Sequence, residues 1–544
     1  MLFSDAKEFI LIPPEILVKI FCNLQFIDLL ACTETCKKWN DLIKSRIFPK
    51  RSIHLTAYSN DQFTTLQKIL DSTYRTFHGG ITLKNLEKIP SLNFYEGITN
   101  LRLENLSSSI LEDELIANVN RYDHIYSFSL QGSHVRLTTM GLSKLAVLEK
   151  LVYLNLSNYD LLHDEIFLLF LSRTPNLNSL ILDNCCLNYA GDSGIKLKSD
   201  SIIQVCGYLP LKELSLNSSG IDDEFMNQLG KVTNLSKLSI SNCSSVSLRG
   251  FYQFFSKQNS LEYLDLSFCR RIFMDYNPSN SPYNIIFLSN LISINLSGLS
   301  IHNKGFPLIM KNLKSIKRLV LNNVDVPNSI IFNSITQISN EFVQLELGNC
   351  EITEKYISLI SNLSTLKILK LDIRSDGVYS KLCDNNFFNS LEELYLNFNS
   401  IESVIVFNYL CKFSTLKILW LENGKFFLES YNSSIPNLTY LKFANILFTS
   451  KKDIINILIH QPKLETLILQ GMAQINNEVI RIIISSLKYL KYIDLSDWTN
   501  IGGDCLNYIL KGNCKRLRVL NGIKSLKNML LQEKNDETHK FIFL

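Results

Sequence analysis

Thirteen cysteines and eight histidines are the side chains of this sequence best suited to bind a metal ion or to act as nucleophiles. No C-x-x-C pair occurs, and the histidines do not recur at metal-ligand spacing with each other or with cysteine. The phosphate loop GxxxxGK[ST], the nucleophile elbow G-x-S-x-G and the zinc helix HExxH do not occur either. The sequence therefore predicts no catalytic residue, no metal site and no cofactor, and the remaining chemistry is that of binding.

The composition excludes several classes of protein. With 46% hydrophobic residues, 19% charged residues and a net charge of +4 over 544 residues, the chain is too apolar and too weakly charged for disorder. The same small charge argues against nucleic acid as a partner. We expect no membrane span and no secretory signal, because no apolar run approaches about 18 residues and no basic stretch precedes one at the N-terminus. Scattered cysteines in such a chain predict reduced thiols in cytoplasm or nucleus.

A sequence motif built around L-x-L recurs along the chain. The elements that it forms must position any binding residues. Seventeen copies, the first at Leu101 and the last at Leu520, follow each other with a mean period of about 26 residues. Ile53–Leu55 and Ile81–Leu83 extend the series toward the N-terminus. A single unit cannot bury its own apolar face, whereas a stack buries one continuous core. We therefore predict an α/β leucine-rich-repeat horseshoe solenoid of about 18 repeats, with parallel strands on the concave face and helices outside.

Four of the repeats carry cysteine at the bend after the strand, where other repeat subtypes have asparagine. This feature resembles the cysteine-containing intracellular subfamily of leucine-rich repeats. Cysteine is small and apolar, so we predict that these thiols pack at the bend and have no catalytic role. The four residues are Cys185, Cys243, Cys269 and Cys350.

Residues 12–43 predict three short helices ahead of the repeats. Pro13-Pro14-Glu15 is a helix-opening signal, since proline is tolerated in the first turn and an acid suits the positive end of the helix. An apolar stripe follows at helical spacing, and Asp28 is a candidate N-cap for the second helix. About 40 residues bury too little core alone, so their surplus apolar side chains require a partner surface.

This segment resembles the F-box. The carriers of the resemblance are I-P-x-E-I-L at residues 12–17, I-F…L at Ile20, Phe21 and Leu24, D-L at 28–29, and C-K-x-W-x-x-L at 36–42. Phe26-Ile27 stands where the family commonly has prolines. The resemblance implies that the helices dock on the SKP adaptor of a cullin–RING ubiquitin ligase. The implied adaptor contacts are Pro13, Pro14, Glu15, Ile16, Leu17, Ile20, Phe21, Leu24, Leu29 and Trp39, the last of these also an internal anchor.

Target binding is predicted on the concave face, where the residues between the strand leucines point. The central positions are small and polar in the first half of the stack and become charged or aromatic from Glu346 to Ile468. Exposed aromatic side chains beside charges are typical of binding hot spots. The predicted target-binding residues are Lys370, Tyr395, Trp420, Tyr440 and Lys442. The alternative is that adjacent strands merely pair these side chains for stability.

Two longer intervals contain segments rich in turn formers, residues 188–200 and 270–284, which predict rim loops that are either solvated or in contact with ligand. The predicted organisation is an F-box at 1–48, a repeat solenoid at 49–522 and a C-terminal cap and tail at 523–544. The resemblance implies a non-catalytic substrate-recognition subunit of an SKP–cullin–F-box ubiquitin ligase, with a protein as substrate. The alternative is a repeat scaffold or inhibitor whose N-terminal helices act only as a cap.

Overall fold

The computed structural model forms two compact units, residues 1–261 and 262–544. The described residues are 37–43, 52–57, 78–89, 97–120, 124–144, 149–159, 164–185, 199–232, 234–258, 260–274, 285–336, 341–383, 390–398, 405–429, 434–472, 474–494 and 519–521, with Pro14, Glu15, Leu17, Val18, Cys32, Tyr276, Ser279 and Ile338. The predicted C-terminal cap lies outside them.

In the first unit, the described strands pair in parallel and in chain order. They are β1 (Ser52–Ala57), β2 (His78–Lys84), β3 (Gly97–Glu104), β4 (Ser127–Ser129), β5 (Tyr153–Asn155), β6 (Ser179–Ile181), β7 (Glu213–Ser215) and β8 (Lys237–Ser239). The helices are α1 (Lys37–Leu42), α2 (Glu112–Val119), α3 (Thr139–Lys144), α4 (Asp164–Ser172), α5 (Ser199–Tyr208), α6 (Asp223–Val232) and α7 (Leu248–Phe255). From β3 onward, one helix follows each strand, as the repeat predicts.

The second unit repeats this pattern. Its main ladder consists of β9 (Tyr263–Asp265), β10 (Ser293–Asn295), β11 (Arg318–Val320), β12 (Gln344–Leu347), β13 (Ile368–Asp372), β14 (Glu393–Asn397), β16 (Ile418–Glu422), β18 (Tyr440–Ala444), β20 (Thr466–Gln470), β21 (Tyr492–Asp494) and β22 (Val519–Asn521). Its helices are α8 (Gly305–Asn312), α9 (Asn328–Ile335), α10 (Glu354–Ile360), α11 (Asp376–Cys383), α12 (Lys451–Ile459) and α13 (Asn477–Ser486), with 3₁₀ helices at Ile286–Asn290 and Phe407–Lys412.

The leucines of L-x-L form the core, as predicted. Leu369 is completely buried and Leu371 nearly so, whereas the residues on either side of them in β13 are half-buried. The same alternation occurs in β14, β16 and β20. Since successive side chains of a strand point to opposite faces, the buried leucines face the helices and the alternate residues face away from them. The parallel repeat fold predicted from the sequence is confirmed.

The bend after many of the strands is a left-handed turn occupied by asparagine. Nine asparagines there have φ between 53° and 58°, a conformation that asparagine tolerates better than most residues. Their amides also bond along the stack: Asn184 donates to the Oδ1 of Asn158 at 2.8 Å, and Asn349 to that of Asn323 at 2.6 Å. This ladder, which the sequence analysis did not predict, ties the turns of consecutive repeats together.

The cysteines of the repeat follow this turn and pack as predicted. Cys243, Cys269 and Cys350 are buried, and Cys185 is half-buried. The Cys243 thiol donates to the carbonyl oxygen of Leu216 at 3.3 Å, in the preceding repeat. Burial raises the pKa of the Cys243 and Cys350 thiols to about 11. These two groups are therefore protonated packing elements rather than nucleophiles.

Between β14 and β20 the outer layer departs in part from the prediction of one helix per repeat, although a 3₁₀ helix lies between β14 and β16 and α12 lies between β18 and β20. There, β15 (Ile405–Val406), β17 (Lys425–Phe427) and β19 (Leu447–Phe448) form a second parallel sheet. Leu419 and Leu441 are only 22 residues apart, which leaves less chain than the usual helix and its turns require. The Phe426 ring fills the space instead and lies 5.3 Å from the Phe398 ring.

The segment predicted as a rim loop at 270–284 is partly core. Among its described residues, Ile272, Phe273 and Tyr276 are buried, and the two rings lie 6.2 Å apart. The expectation of a solvated or ligand-contacting loop is wrong for this part, because its apolar side chains have core to fill. Of segment 188–200, residues 188–198 lie outside the described residues and the last two begin α5.

Helices α6 and α7 pack with their backbones unusually close. A Cβ atom on Gly250 would stand 2.6 Å from the Cα of Asp223, so no larger residue fits there without displacement. Asp223 also accepts hydrogen bonds from the backbone nitrogen and hydroxyl of Ser247, the N-cap of α7. This contact couples two successive repeats through both backbone packing and a capping interaction.

We predict that Gly250→Ala destabilises the chain by about 1–3 kcal/mol, because the added methyl group overpacks the helix interface. In an exposed helix the same change would stabilise by about 1 kcal/mol. Urea unfolding measures the effect. Gly207→Ala, at an exposed position of α5, is the matched control and should leave the midpoint unchanged or raise it. A Gly250→Ala midpoint equal to that control would contradict the close packing.

Candidate protein-binding surface

The face of the second unit's main sheet that points away from the helices carries the predicted target-binding residues. We call it the open face. Parallel pairing in register places Glu346, Lys370, Tyr395, Trp420 and Lys442 side by side on successive strands from β12 to β18. Register in a sheet fixes which side chains become neighbours. Residues separated by more than 20 positions in the sequence therefore form one continuous row.

Four members of this row are in direct contact, and we call them the platform: Lys370, Tyr395, Trp420 and Lys442. The two rings lie 5.5 Å apart with an interplanar angle of 50°. The Lys370 ammonium is 4.8 Å from the Tyr395 ring centroid, and that of Lys442 is 3.6 Å from the Trp420 centroid. Such cation–π contacts each contribute about 0.5–2 kcal/mol, depending on desolvation. The platform is thus a preformed stack of two rings between two cations.

Each ring also binds a carboxylate of its own strand. The Tyr395 hydroxyl donates to Oε2 of Glu393 at 2.9 Å, and Nε1 of Trp420 donates to Oε1 of Glu422 at 2.5 Å. Burial, and then the bond to Glu393, raise the pKa of Tyr395 well above its usual value. The phenol therefore stays protonated and remains a donor. These bonds fix both rings, which lowers the entropy lost when a partner binds.

Glu346 anchors the platform at β12. It is only 8% exposed, and its carboxylate receives Nη2 of Arg318 at 3.0 Å, Nζ of Lys370 at 3.3 Å and Nε2 of Gln344 at 2.7 Å. A buried carboxylate is tolerated only when charges and hydrogen bonds compensate it. Glu346 was expected in this row from the sequence, but its binding of two cations was not.

Tyr440, the fifth predicted residue, belongs to a neighbouring row. It lies on β18 two residues before Lys442 and pairs in register with Ile418 and Thr466, and Thr466 in turn pairs with Tyr492. Burial, and then the charge of Asp494, raise the pKa of Tyr440. Tyr440 therefore extends the aromatic surface toward β21 rather than joining the platform.

At the edge where the strands begin, Lys367, Glu392 and Lys417 form a separate network of ion pairs at the surface, which we call the zipper. Glu392 lies between Lys367 at 2.8 Å and Lys417 at 2.5 Å, and these two lysines lower its pKa to about 2. Glu392 and Glu393 are adjacent in sequence, but only Glu393 bonds to the platform. The ion-pair network thus lies just before β14, and the platform contact begins with the first residue of that strand.

Few of the predicted adaptor contacts can be placed. Glu15 is exposed, Pro14 and Trp39 are half-buried, and Leu17 is buried at 1% exposure. The Leu17 side chain is thus packed within the chain. Pro13, Ile16, Ile20, Phe21, Leu24 and Leu29 lie outside the described residues. Adaptor binding by this set stays a prediction.

In the part of the chain that the structure describes, no three His, Cys, Asp or Glu side chains gather as a metal site. Over the same residues, no helix has the length and apolarity needed to cross a bilayer.

Comparison with known proteins identifies the N-terminal segment. Residues 9–52 match the family model described as F-box-like. No curated protein matches the sequence. The chain therefore carries an F-box-like segment followed by leucine-rich repeats.

Three solved structures are distantly similar to this chain. A chain of the yeast Rad7–Elc1 complex has 20% identity and a TM-score of 0.43, with 75% of this chain and 88% of that chain covered. The mouse RP105/MD-1 complex has 14% identity and a TM-score of 0.41, with 82% of this chain and 75% of that chain covered. The TLR13–ssRNA13 complex has 18% identity and a TM-score of 0.35, with 92% of this chain and 79% of that chain covered. Such distant likenesses carry no functional argument.

We predict that Glu346→Gln lowers the free energy of unfolding by about 1–3 kcal/mol, because two cations lose the charge of a buried acceptor. Glu392→Gln removes the same charge at the exposed zipper and should cost less than about 1 kcal/mol. Urea unfolding of both variants tests this difference. Equal costs would show that Glu346 is no anchor of the platform.

Proposed function

We propose that this chain is the substrate-recognition subunit of an SKP–cullin–F-box ubiquitin ligase. The observation that carries the proposal is the combination, in one chain, of an F-box-like segment at residues 9–52 and a preformed aromatic platform on the repeat sheet. The first supplies the adaptor-binding end, and the second supplies a rigid surface of hot-spot composition for a target protein.

In this mechanism the chain contributes proximity rather than bond chemistry. The F-box-like segment docks on the SKP adaptor, and the platform holds a target protein near the ubiquitin carried by the other subunits. Tethering raises the effective concentration of the target's lysines, which converts a bimolecular encounter into an intramolecular one. Ubiquitination and degradation of the target then follow from catalytic groups that belong to those other subunits.

A second candidate is a repeat scaffold or inhibitor whose N-terminal helices close the stack as a cap. Its structural requirement is met, because Leu17 and Ile43 are both buried within the chain itself. Internal packing of these residues is what a cap requires. An F-box also needs internal packing, so exposed residues of the segment discriminate between the two functions.

The adaptor test uses Glu15→Lys, because Glu15 is an exposed predicted contact. The native chain should co-purify with the SKP adaptor in a 1:1 ratio, and charge reversal at the interface should weaken binding by at least about tenfold. Glu165→Lys reverses an exposed charge on α4 and is the matched control, which should bind as the native chain does. If the folded native chain captures no adaptor, the cap function replaces the ligase function.

The platform test uses the double variant Tyr395→Ala with Trp420→Ala. Proteins that become ubiquitinated in the presence of the native chain should no longer be ubiquitinated with this variant, because each hot-spot truncation costs about 2 kcal/mol or more of binding free energy. Quantitative proteomics of ubiquitinated peptides measures this, and circular dichroism together with a cooperative urea transition shows that the repeats of the variant are folded. Tyr263→Ala, an exposed aromatic of β9, is the control. An unchanged set of ubiquitinated proteins would remove the platform from target recognition.

A further inference from the structure

The open face of the second unit is acidic although the whole chain is basic. The chain has a formal net charge of +4. On the open face from β9 to β21, the described residues include six carboxylates and only three cations. The carboxylates are Asp265, Glu346, Asp372, Glu393, Glu422 and Asp494, and the cations are Arg318, Lys370 and Lys442.

All three cations are already engaged within the sheet. Arg318 and Lys370 share Glu346, at 3.0 and 3.3 Å. Lys442 lies over the Trp420 ring and is 3.9 Å from Glu422. A partner that sought a free positive charge on this face would have to break these contacts. The lysines of the platform therefore orient its rings and do not present cationic docking points.

Glu393 and Glu422 are the carboxylates bound to the two rings, and neither is shared between two cations as Glu346 is; Glu422 lies 3.9 Å from Lys442. Glu393 receives the neutral hydroxyl of Tyr395, and Glu422 receives the neutral indole N–H of Trp420. A hydrogen bond from a neutral donor does not cancel the charge of a carboxylate, and each of these carboxylates has more acceptor positions than the one ring donor occupies. Each can accept a further charge-assisted hydrogen bond, which is stronger than a neutral one.

These two carboxylates lie at opposite corners of the ring pair. Glu393 begins β14 and pairs in register with Ile418, whereas Glu422 ends β16 and pairs with Asn397. Their backbones are four residues apart along the strands and one strand apart across the sheet. With about 3.3 Å per residue and about 4.8 Å between strands, the diagonal is about 14 Å. An extended peptide spans that distance in about four residues.

We propose that the platform recognises a basic, extended segment of the target protein, with two cationic side chains about four residues apart, one for each of Glu393 and Glu422. The inference rests on the proposed function, since it specifies the chemistry of the target. Charge complementarity selects this occupant: phosphorylated or acidic segments and nucleic acids bring negative charge to a face with excess carboxylate. Arginine is the expected anchor, because its planar fork matches a carboxylate and its guanidinium also stacks on rings.

The test measures binding of fluorescent 13-residue Gly/Ser peptides to the full chain by anisotropy. One peptide has arginine at positions 5 and 9, a second has arginine at positions 5 and 6, and a third has glutamate at positions 5 and 9. We expect the first to bind at least about tenfold more tightly than the third, and more tightly than the second. Its affinity should fall as salt rises, since part of the interaction is screened.

Two variants connect the binding to the assigned residues. Glu393→Gln with Glu422→Gln keeps an acceptor for each ring but removes both charges, and it should weaken the first peptide by at least about tenfold. Glu392→Gln removes a neighbouring charge outside the platform and should change its affinity by less than about twofold. Circular dichroism and adaptor capture establish that the variants are folded.

The inference is overturned if the first peptide does not bind, if the glutamate peptide binds equally well, or if Glu392→Gln weakens binding as much as the double variant does. Adaptor capture by the native chain distinguishes failure of the proposed ligase function from failure of the proposed basic target segment. Capture without peptide selectivity rejects the basic target segment and leaves the ligase function standing. Loss of capture rejects the ligase function, whichever peptide the chain prefers.

Discussion

In-register parallel pairing of one short strand per repeat is the constraint on which the rest of this structure depends. Each strand must place its two leucines toward the helices, because a single repeat cannot bury them alone. Once the leucines are fixed, the residue between them has only the opposite face available. Successive repeats therefore build a row of side chains at a spacing of about 4.8 Å, close enough for rings and charges to contact.

That spacing explains how the platform is held together. Its charges and rings are weak partners individually, because surface ion pairs and cation–π contacts contribute about 2 kcal/mol or less each. Combined in one row they satisfy every polar atom of the two rings and orient both before any partner arrives. The sequence analysis offered two alternatives for these residues, target binding and pairing for stability. The contacts show pairing, and pairing that fixes half-buried rings is also what a binding surface requires.

The remaining layers are adjusted to the same constraint. Asparagine in the left-handed turn after many strands, and a packed cysteine after it in four repeats, allow the chain to bend sharply at the end of those strands. Where the interval between strands shortens to 22 residues, a second sheet replaces the helix while the main ladder continues in register. From β12 to β20 the register is kept and the outer layer changes, because a slip of one residue would turn the leucines away from the core.

The sequence by itself determined the repeat, its period, the buried leucines, the packing of the cysteines and the F-box-like segment, since each is a local pattern of residue type and spacing. It also named the members of the aromatic row, because alternation along a strand is a local property. Only the tertiary structure decided that Glu346 binds Arg318 and Lys370, that Tyr440 stands outside the platform, and that Phe273 and Tyr276 are core. These outcomes depend on which residues become neighbours across strands, and that is fixed by register and packing volume rather than by spacing within one repeat.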